Sequence, residues 1–157
     1  MASVMDLEPD VRDVFAHYGF AVAKAQAVER LLAAFVVYPK LVELQTQGER
    51  NEAVAQTHLM TLGALCERVR KMGFDSLADA IKTALAPDRN ATVHRYFWEK
   101  ARSAKLQTVE GRAELCAELT AIATRCDEVE TVLRPLVPFD AQMWTQTEMT
   151  VVAVFEQ

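Results

Sequence analysis

Glycine is scarce in this chain of 157 residues: there are five, and no glycine-rich stretch that would cradle a phosphate. Without such a loop, and without a GxSxG elbow, classical nucleotide-hydrolase and serine-hydrolase chemistries fall away. Cysteine is scarcer still. Cys66, Cys116 and Cys126 are odd in number and lack zinc-ligand or CxxC spacing, so they read as buried free thiols in a reducing compartment. His17 and His58 have neither HxxxH nor HExxH spacing, and neither a metal nor a cofactor is expected. Long apolar runs are missing too. No segment reaches the length of a membrane span, and MASVMDLEPDVRD lacks the basic flank and apolar core of a signal peptide. These absences predict a soluble, cytoplasmic chain with no membrane partner.

Positive charge is also in deficit. Seventeen Lys and Arg face twenty-two Asp and Glu, giving a net charge of −5 and a pI near 5.2, which opposes broad electrostatic attraction to nucleic acid. The deficit is uneven. Between Asp88 and Lys105, the five cations Arg89, Arg95, Lys100, Arg102 and Lys105 face only Asp88 and Glu99, so a local anion site is open to this stretch.

What the chain does have is 51% hydrophobic and 25% charged residues, enough to bury one core and solvate one exterior. The patterning predicts an all-α bundle of about four to five helices over residues 1–138. Residues 139–157 form an ambiguous tail, docked or partner-binding, in which MTVVAVF also suits a short strand. The first helix should run from about Pro9 to Tyr38 and end at Pro39; apolar nearly all round from Phe15 to Val37, it should be central. A second is expected over roughly Glu52 to Met72, with Leu59, Leu62, Leu65, Cys66 and Val69 facing inward and Gly73 as cap; Thr57 or Thr61 would cap a shorter version. A third should start at Ser76, bearing Leu77, Ala80, Ile81, Ala84 and Leu85, until Pro87 breaks or restarts it, helix then continuing to about Ser103. The last, capped by Thr108, spans Val109 to about Leu133 with Leu115, Leu119, Ile122, Val129 and Val132 inward, and is stopped by Pro135 and Pro138.

The most informative stretch is Arg89-Asn90-Ala91-Thr92-Val93-His94-Arg95-Tyr96, expected just after Pro87 at a helix start. There, unpaired amides, a permanent guanidinium and an imidazole titrating near neutrality suit a phosphate with a proton to move. The bland alternative is that Arg89 forms a salt bridge, His94 is a satisfied half-buried histidine, and Tyr96, Phe97 and Trp98 are core. A carboxylate, Glu29, shares a helical stripe with Tyr18, Val22, Ala25, Leu32 and Val36, so it needs a cation; Arg89 is one candidate partner, another basic side chain or the solvent edge the alternative.

The pattern Arg89-x4-His94-x-Tyr96, with Asn90 directly after the Arg, resembles the signature of the HEPN superfamily, the higher-eukaryote and prokaryote nucleotide-binding helical domains. The order of features, from Gly19-Phe20-Ala21-Val22-Ala23-Lys24-Ala25-Gln26 with Glu29 to Thr108-Val109-Glu110-Gly111-Arg112, is similar to that of small uncharacterised bacterial members, over roughly residues 15 to 134. The resemblance implies a metal-independent endoribonuclease, a toxin or phage-defence effector, acting as a two-fold dimer whose paired motifs face one cleft. In that scheme His94 moves the proton of the 2′-hydroxyl or the leaving oxygen, Arg89 stabilises the transition state, and Asn90 orients His94 or a phosphate oxygen. Tyr96 contacts RNA, is modified by a partner nucleotidyltransferase acting as antitoxin, or simply packs. Five helical positions turn through about 500°, leaving Arg89 and His94 about 140° apart, so a second copy would complete the site. Two other classes stay open: a non-catalytic nucleotide-binding or protein-interaction module, and a purely structural helical scaffold.

Overall fold

A computed structural model describes residues 9–137, the side chains of residues 86–94 excepted; the tail expected at 139–157 lies outside the described residues. These residues are all-α, with six α-helices, one short 3-10 turn and no strand among them. The helices are α1 (Val11–Glu43), α2 (Gln47–His58), α3 (Leu62–Lys71), α4 (Asp75–His94), α5 (Lys100–Lys105) and α6 (Val109–Leu133), followed by the 3-10 turn Arg134–Leu136. Among the described residues no helix is long and apolar enough to cross a membrane.

The two longest helices bury apolar seams. On α1, Val14, Ala21, Ala25, Val28, Leu32 and Phe35 are buried and Tyr18 is half-buried, a seam repeating every three and four residues. Phe15 and Phe20, on the other faces, are half-exposed, so the first half of α1 is not the all-round buried helix its composition suggests, whereas Leu32, Ala33, Ala34, Phe35 and Val37 in its second half are all buried. On α6 the same spacing runs through Gly111, Leu115, Leu119, Ile122, Cys126 and Leu133. Val132 was expected inward but is exposed; Leu133, one position on, is fully buried. A one-residue step on a helix rotates a side chain by about 100°, enough to exchange core for solvent.

The described chain falls into two compact units that α1, α4 and α6 all enter. Unit 1 holds α1 to Gln26, α4 from Thr83, α5, and α6 to Glu128; unit 2 holds the remainder. In unit 2, Val37, Leu41, Ala53 and Val54 form a cluster against which Leu44 packs, and Phe35 meets Phe74 edge-on with ring centroids 5.4 Å apart. Arg70 on α3 reaches Glu67, Asp75 and Asp79, tying α3 to the start of α4.

Neither internal proline ends its helix. α1 continues through Pro39 because Val37 and Leu41 on either side are both buried in the unit 2 cluster, which opposes the loss of one amide donor. α4 likewise runs from Asp75 through Pro87 to His94. Other boundaries move for local reasons. α2 starts at Gln47 because Thr46 and Glu49 form a capping box: Thr46 Oγ1 accepts the Glu49 amide at 3.2 Å, and Glu49 Oε2 accepts the Thr46 amide at 3.0 Å. The single helix expected over Glu52–Met72 is two, because Thr61 caps α3 by accepting the Ala64 amide at 3.3 Å, and Leu59 in the break is 80% exposed. Gly73 closes α3 as expected. With φ of 90° it permits a Schellman turn in which the Phe74 amide bonds Val69 O and the Gly73 amide bonds Arg70 O. On α4, Ala78 takes the buried place expected of Ala80.

Candidate functional site

The motif occupies the end of α4 rather than the start of a helix. Because α4 begins at Asp75, residues 89–94 lie in its last turns, where the amides serve helical hydrogen bonds; the anion site expected from free N-terminal amides does not form there. The side chains of Arg89, Asn90 and His94 lie outside those described, and with them the Glu29–Arg89 pairing. Glu29 itself is half-buried on α1, with Oε1 enclosed, and is not a free carboxylate.

Helix ends at His94, and residues 95–98 form a turn closed by the Trp98 amide donating to Arg95 O at 3.0 Å. This turn is anchored within unit 1 by aromatic packing. The Tyr96 ring lies 5.8 Å from Tyr18 and 5.0 Å from Phe97, and Phe97 lies 5.0 Å from both Phe15 and Tyr18. Tyr96 is only 2% exposed, so in this structure its phenol is core, the packing alternative, and presents nothing to solvent.

Over the Tyr96 ring sits the Arg102 guanidinium, 4.6 Å from the centroid. Arg102 is held from three directions. Its Nε and Nη2 donate to Glu118 Oε1 at 3.1 and 2.7 Å, and its Nη1 donates to Glu99 at 2.6 Å. α5 and α6 are thereby fastened to the turn that follows the motif. Burial pushes the Tyr96 phenol well above its ordinary pKa; the Glu118 charge adds to the rise and Arg102 partly opposes it. The hydroxyl has no hydrogen-bond partner of ordinary geometry among the described residues.

The junction between α5 and α6 is equally built. Thr108 Oγ1 accepts the Gly111 amide at 3.0 Å, and Arg112 donates to Pro9 O at 2.8 Å and to Leu106 O at 3.1 Å. Gly111 is required by close approach: a Cβ there would meet the Lys105 carbonyl oxygen, with Lys105 Cα and Thr108 Oγ1 both at 2.7 Å.

These bonds redistribute the local charge. Arg102 is neutralised by Glu99 and Glu118, and Lys105 pairs with Glu114 at 2.9 Å. Arg95 and Lys100 are exposed and form no ion pair with another described residue. Between them Trp98 is 85% exposed, the most exposed large hydrophobic residue described. In sequence Trp98 is either core or, with the segment around Arg89 to Trp98, part of a homodimer contact; adjacent aromatics in a turn point in different directions, and only packing tells which is left outside.

Elsewhere there is less to work with. His17 donates from Nδ1 to Asp13 O at 2.8 Å, and His58 is exposed. Among the described residues no three metal-ligating side chains converge. Cys66 and Cys126 are buried thiols, while Cys116, expected buried, is half-exposed; burial raises the pKa of Cys66 and Cys116. An open depression of about 280 Å³ in unit 2 is lined by Lys40, Leu44, Glu49, Glu52, Ala53 and Gln56, with no hydroxyl, thiol or histidine among them. Compared with known protein families, curated proteins and solved structures, the chain matches none.

Proposed function

We propose that this chain is a HEPN-like endoribonuclease cleaving RNA without a metal, with Arg89 and His94 as its catalytic pair and a toxin or phage-defence role. What supports the reading is the intact Arg89-x4-His94-x-Tyr96 pattern on an all-α chain, its Arg and His on one unbroken helix and its Tyr anchoring the next turn. His94 takes the proton of the 2′-hydroxyl as that oxygen attacks phosphorus, the bond to the 5′-oxygen breaks, and the leaving oxygen takes up a proton from the imidazolium so formed or from water. Arg89 stabilises the charge on the pentacoordinate phosphorus. The separation of Arg89 and His94 around the helix calls for a homodimer to complete the site, and an antitoxin, such as a nucleotidyltransferase, for control.

The test is cleavage of RNA in excess chelator against a DNA control of the same sequence. Products should carry 2′,3′-cyclic phosphate and 5′-hydroxyl ends. His94→Ala should lower kcat by about 10²–10⁴ and Arg89→Ala by about 10²–10³, both with helical circular dichroism unchanged. Undiminished cleavage by His94→Ala defeats the reading. A second reading, a non-catalytic nucleotide-binding or protein-interaction module, is favoured by the net charge of −5 and by the neutralisation of Arg102 and Lys105. Binding without cleavage across a broad RNA panel would select it.

A further inference from the structure

We infer that Trp98, flanked by Arg95 and Lys100, is a stacking platform for an unpaired base, so that the RNA taken by the proposed site is single-stranded. The inference rests on the ribonuclease reading for its ligand class, and on unit 1 alone for its geometry.

Three observations carry it. The first is exposure: an indole 85% open to solvent loses hydrophobic free energy unless something covers it, and no ring contact to Trp98 exists among the described residues. The second is rigidity. The turn bearing Trp98 is closed by its own amide to Arg95 O, its neighbour Phe97 is wedged between Phe15 and Tyr18, and Tyr96 is clamped beneath Arg102. A base stacking there meets a platform already ordered, and little further conformational entropy is lost.

The third is charge. Glu99, the acidic residue beside Trp98, is held by Arg102, whereas Arg95 and Lys100 have no ion pair among the described residues. Arg95 and Trp98 are the ends of one four-residue turn, so their Cα atoms lie within about 7 Å, close enough for one nucleotide to engage both. An indole bracketed by two available cations complements a base with its flanking phosphates. An apolar protein partner would meet the charged Arg95 and Lys100 in the same short segment. A double helix offers no free base face, which selects the single strand.

The experiment uses the full chain carrying Trp144→Phe, which leaves Trp98 as the sole tryptophan, and titrates it with an unstructured RNA oligonucleotide while reading indole fluorescence. Quenching is expected, and much less from the same sequence as a duplex. In parallel, anisotropy of labelled RNA on the native background should show Trp98→Ala weakening binding roughly 5- to 150-fold, the equivalent of about 1–3 kcal/mol per stacked base. Trp98→Phe should restore most of the loss, and Arg95→Ala and Lys100→Ala should each weaken binding. Trp98 is exposed, so these variants should keep their helical circular dichroism. Quenching of Trp98, with the affinity loss in Trp98→Ala read by anisotropy and without any cleavage, supports the platform and defeats the ribonuclease reading. Cleavage with no quenching and an unchanged KM in Trp98→Ala overturns the platform and leaves that reading standing. Equal affinity for duplex and single strand overturns the platform. So does a blue-shifted emission that depends on protein concentration and not on RNA, which would assign the surface to a second copy of the chain.

Discussion

Tyr96 is one side chain with two possible fates in sequence, ligand contact or core, and its surroundings decide between them. It is buried beneath Arg102, and the desolvation that raises its pKa also sets a pH dependence. A phenol whose folded pKa lies above its unfolded value adds stability that is fully present below about pH 10 and is lost as pH rises toward the folded value. Alkaline melts should therefore show stability falling above about pH 10, and Tyr96→Phe should flatten that fall. At neutral pH the same variant should lie within about 1 kcal/mol of the parent, since the lost hydroxyl has no hydrogen-bond partner of ordinary geometry. A parallel alkaline limb in the two proteins would place the titrating group elsewhere. The Arg-x4-His-x-Tyr spacing identified Tyr96 as important, but the burial that makes it so comes from Tyr18 and Arg102, 78 residues before it and six after by sequence number.

At the scale of elements, what matters is how helices begin and meet. α6 was legible from Thr108 to Leu133 because its cap, its apolar repeat and the following prolines all agree. α2 starts five residues before the expected Glu52, although its capping box Thr46-x-x-Glu49 stands in the sequence. The polar run through Gln47, Gly48 and Asn51 reads as loop until Leu44 and Val54 are seen to need a partner surface. Pro39 and Pro87 misled for the opposite reason: a local penalty was overridden by packing on both sides of Pro39, and α4 shows the same continuity. The sharpest element-scale prediction concerns the α5–α6 junction. Gly111→Ala drives a methyl into the backbone of Lys105 and should destabilise by about 1–3 kcal/mol in urea unfolding, despite alanine's better helix propensity. Stabilisation by this substitution would mean that α5 is free to move away.

For the whole molecule, the balance of charge constrains any encounter with RNA. A chain of net charge −5 repels a polyanion, so binding must come from a few local cations and from stacking. With Arg102 and Lys105 neutralised, Arg95 and Lys100 are the available cations beside Trp98, and two phosphate contacts there give a salt slope of about −1.4 for a single strand. Plots of log affinity against log salt should be that shallow, apart from any contribution of Arg89. A slope several times steeper would point to a broad basic face that the composition does not provide.

By itself, the amino-acid order determined that this is an all-α chain: repeats of three and four residues, scarce glycine and strong caps specify helices through contacts only a turn or so apart. It also marked Arg89, Asn90, His94, Tyr96 and Glu29, since spacing and residue type are properties of sequence. The tertiary structure decided that the motif ends a helix instead of opening one, that Tyr96 packs inward while Trp98 stands out, and that Arg102 and Lys105 are already neutralised. Those outcomes depend on Tyr18, Glu114 and Glu118, residues distant along the chain, because burial and ion pairing are settled by three-dimensional neighbours that no local pattern encodes.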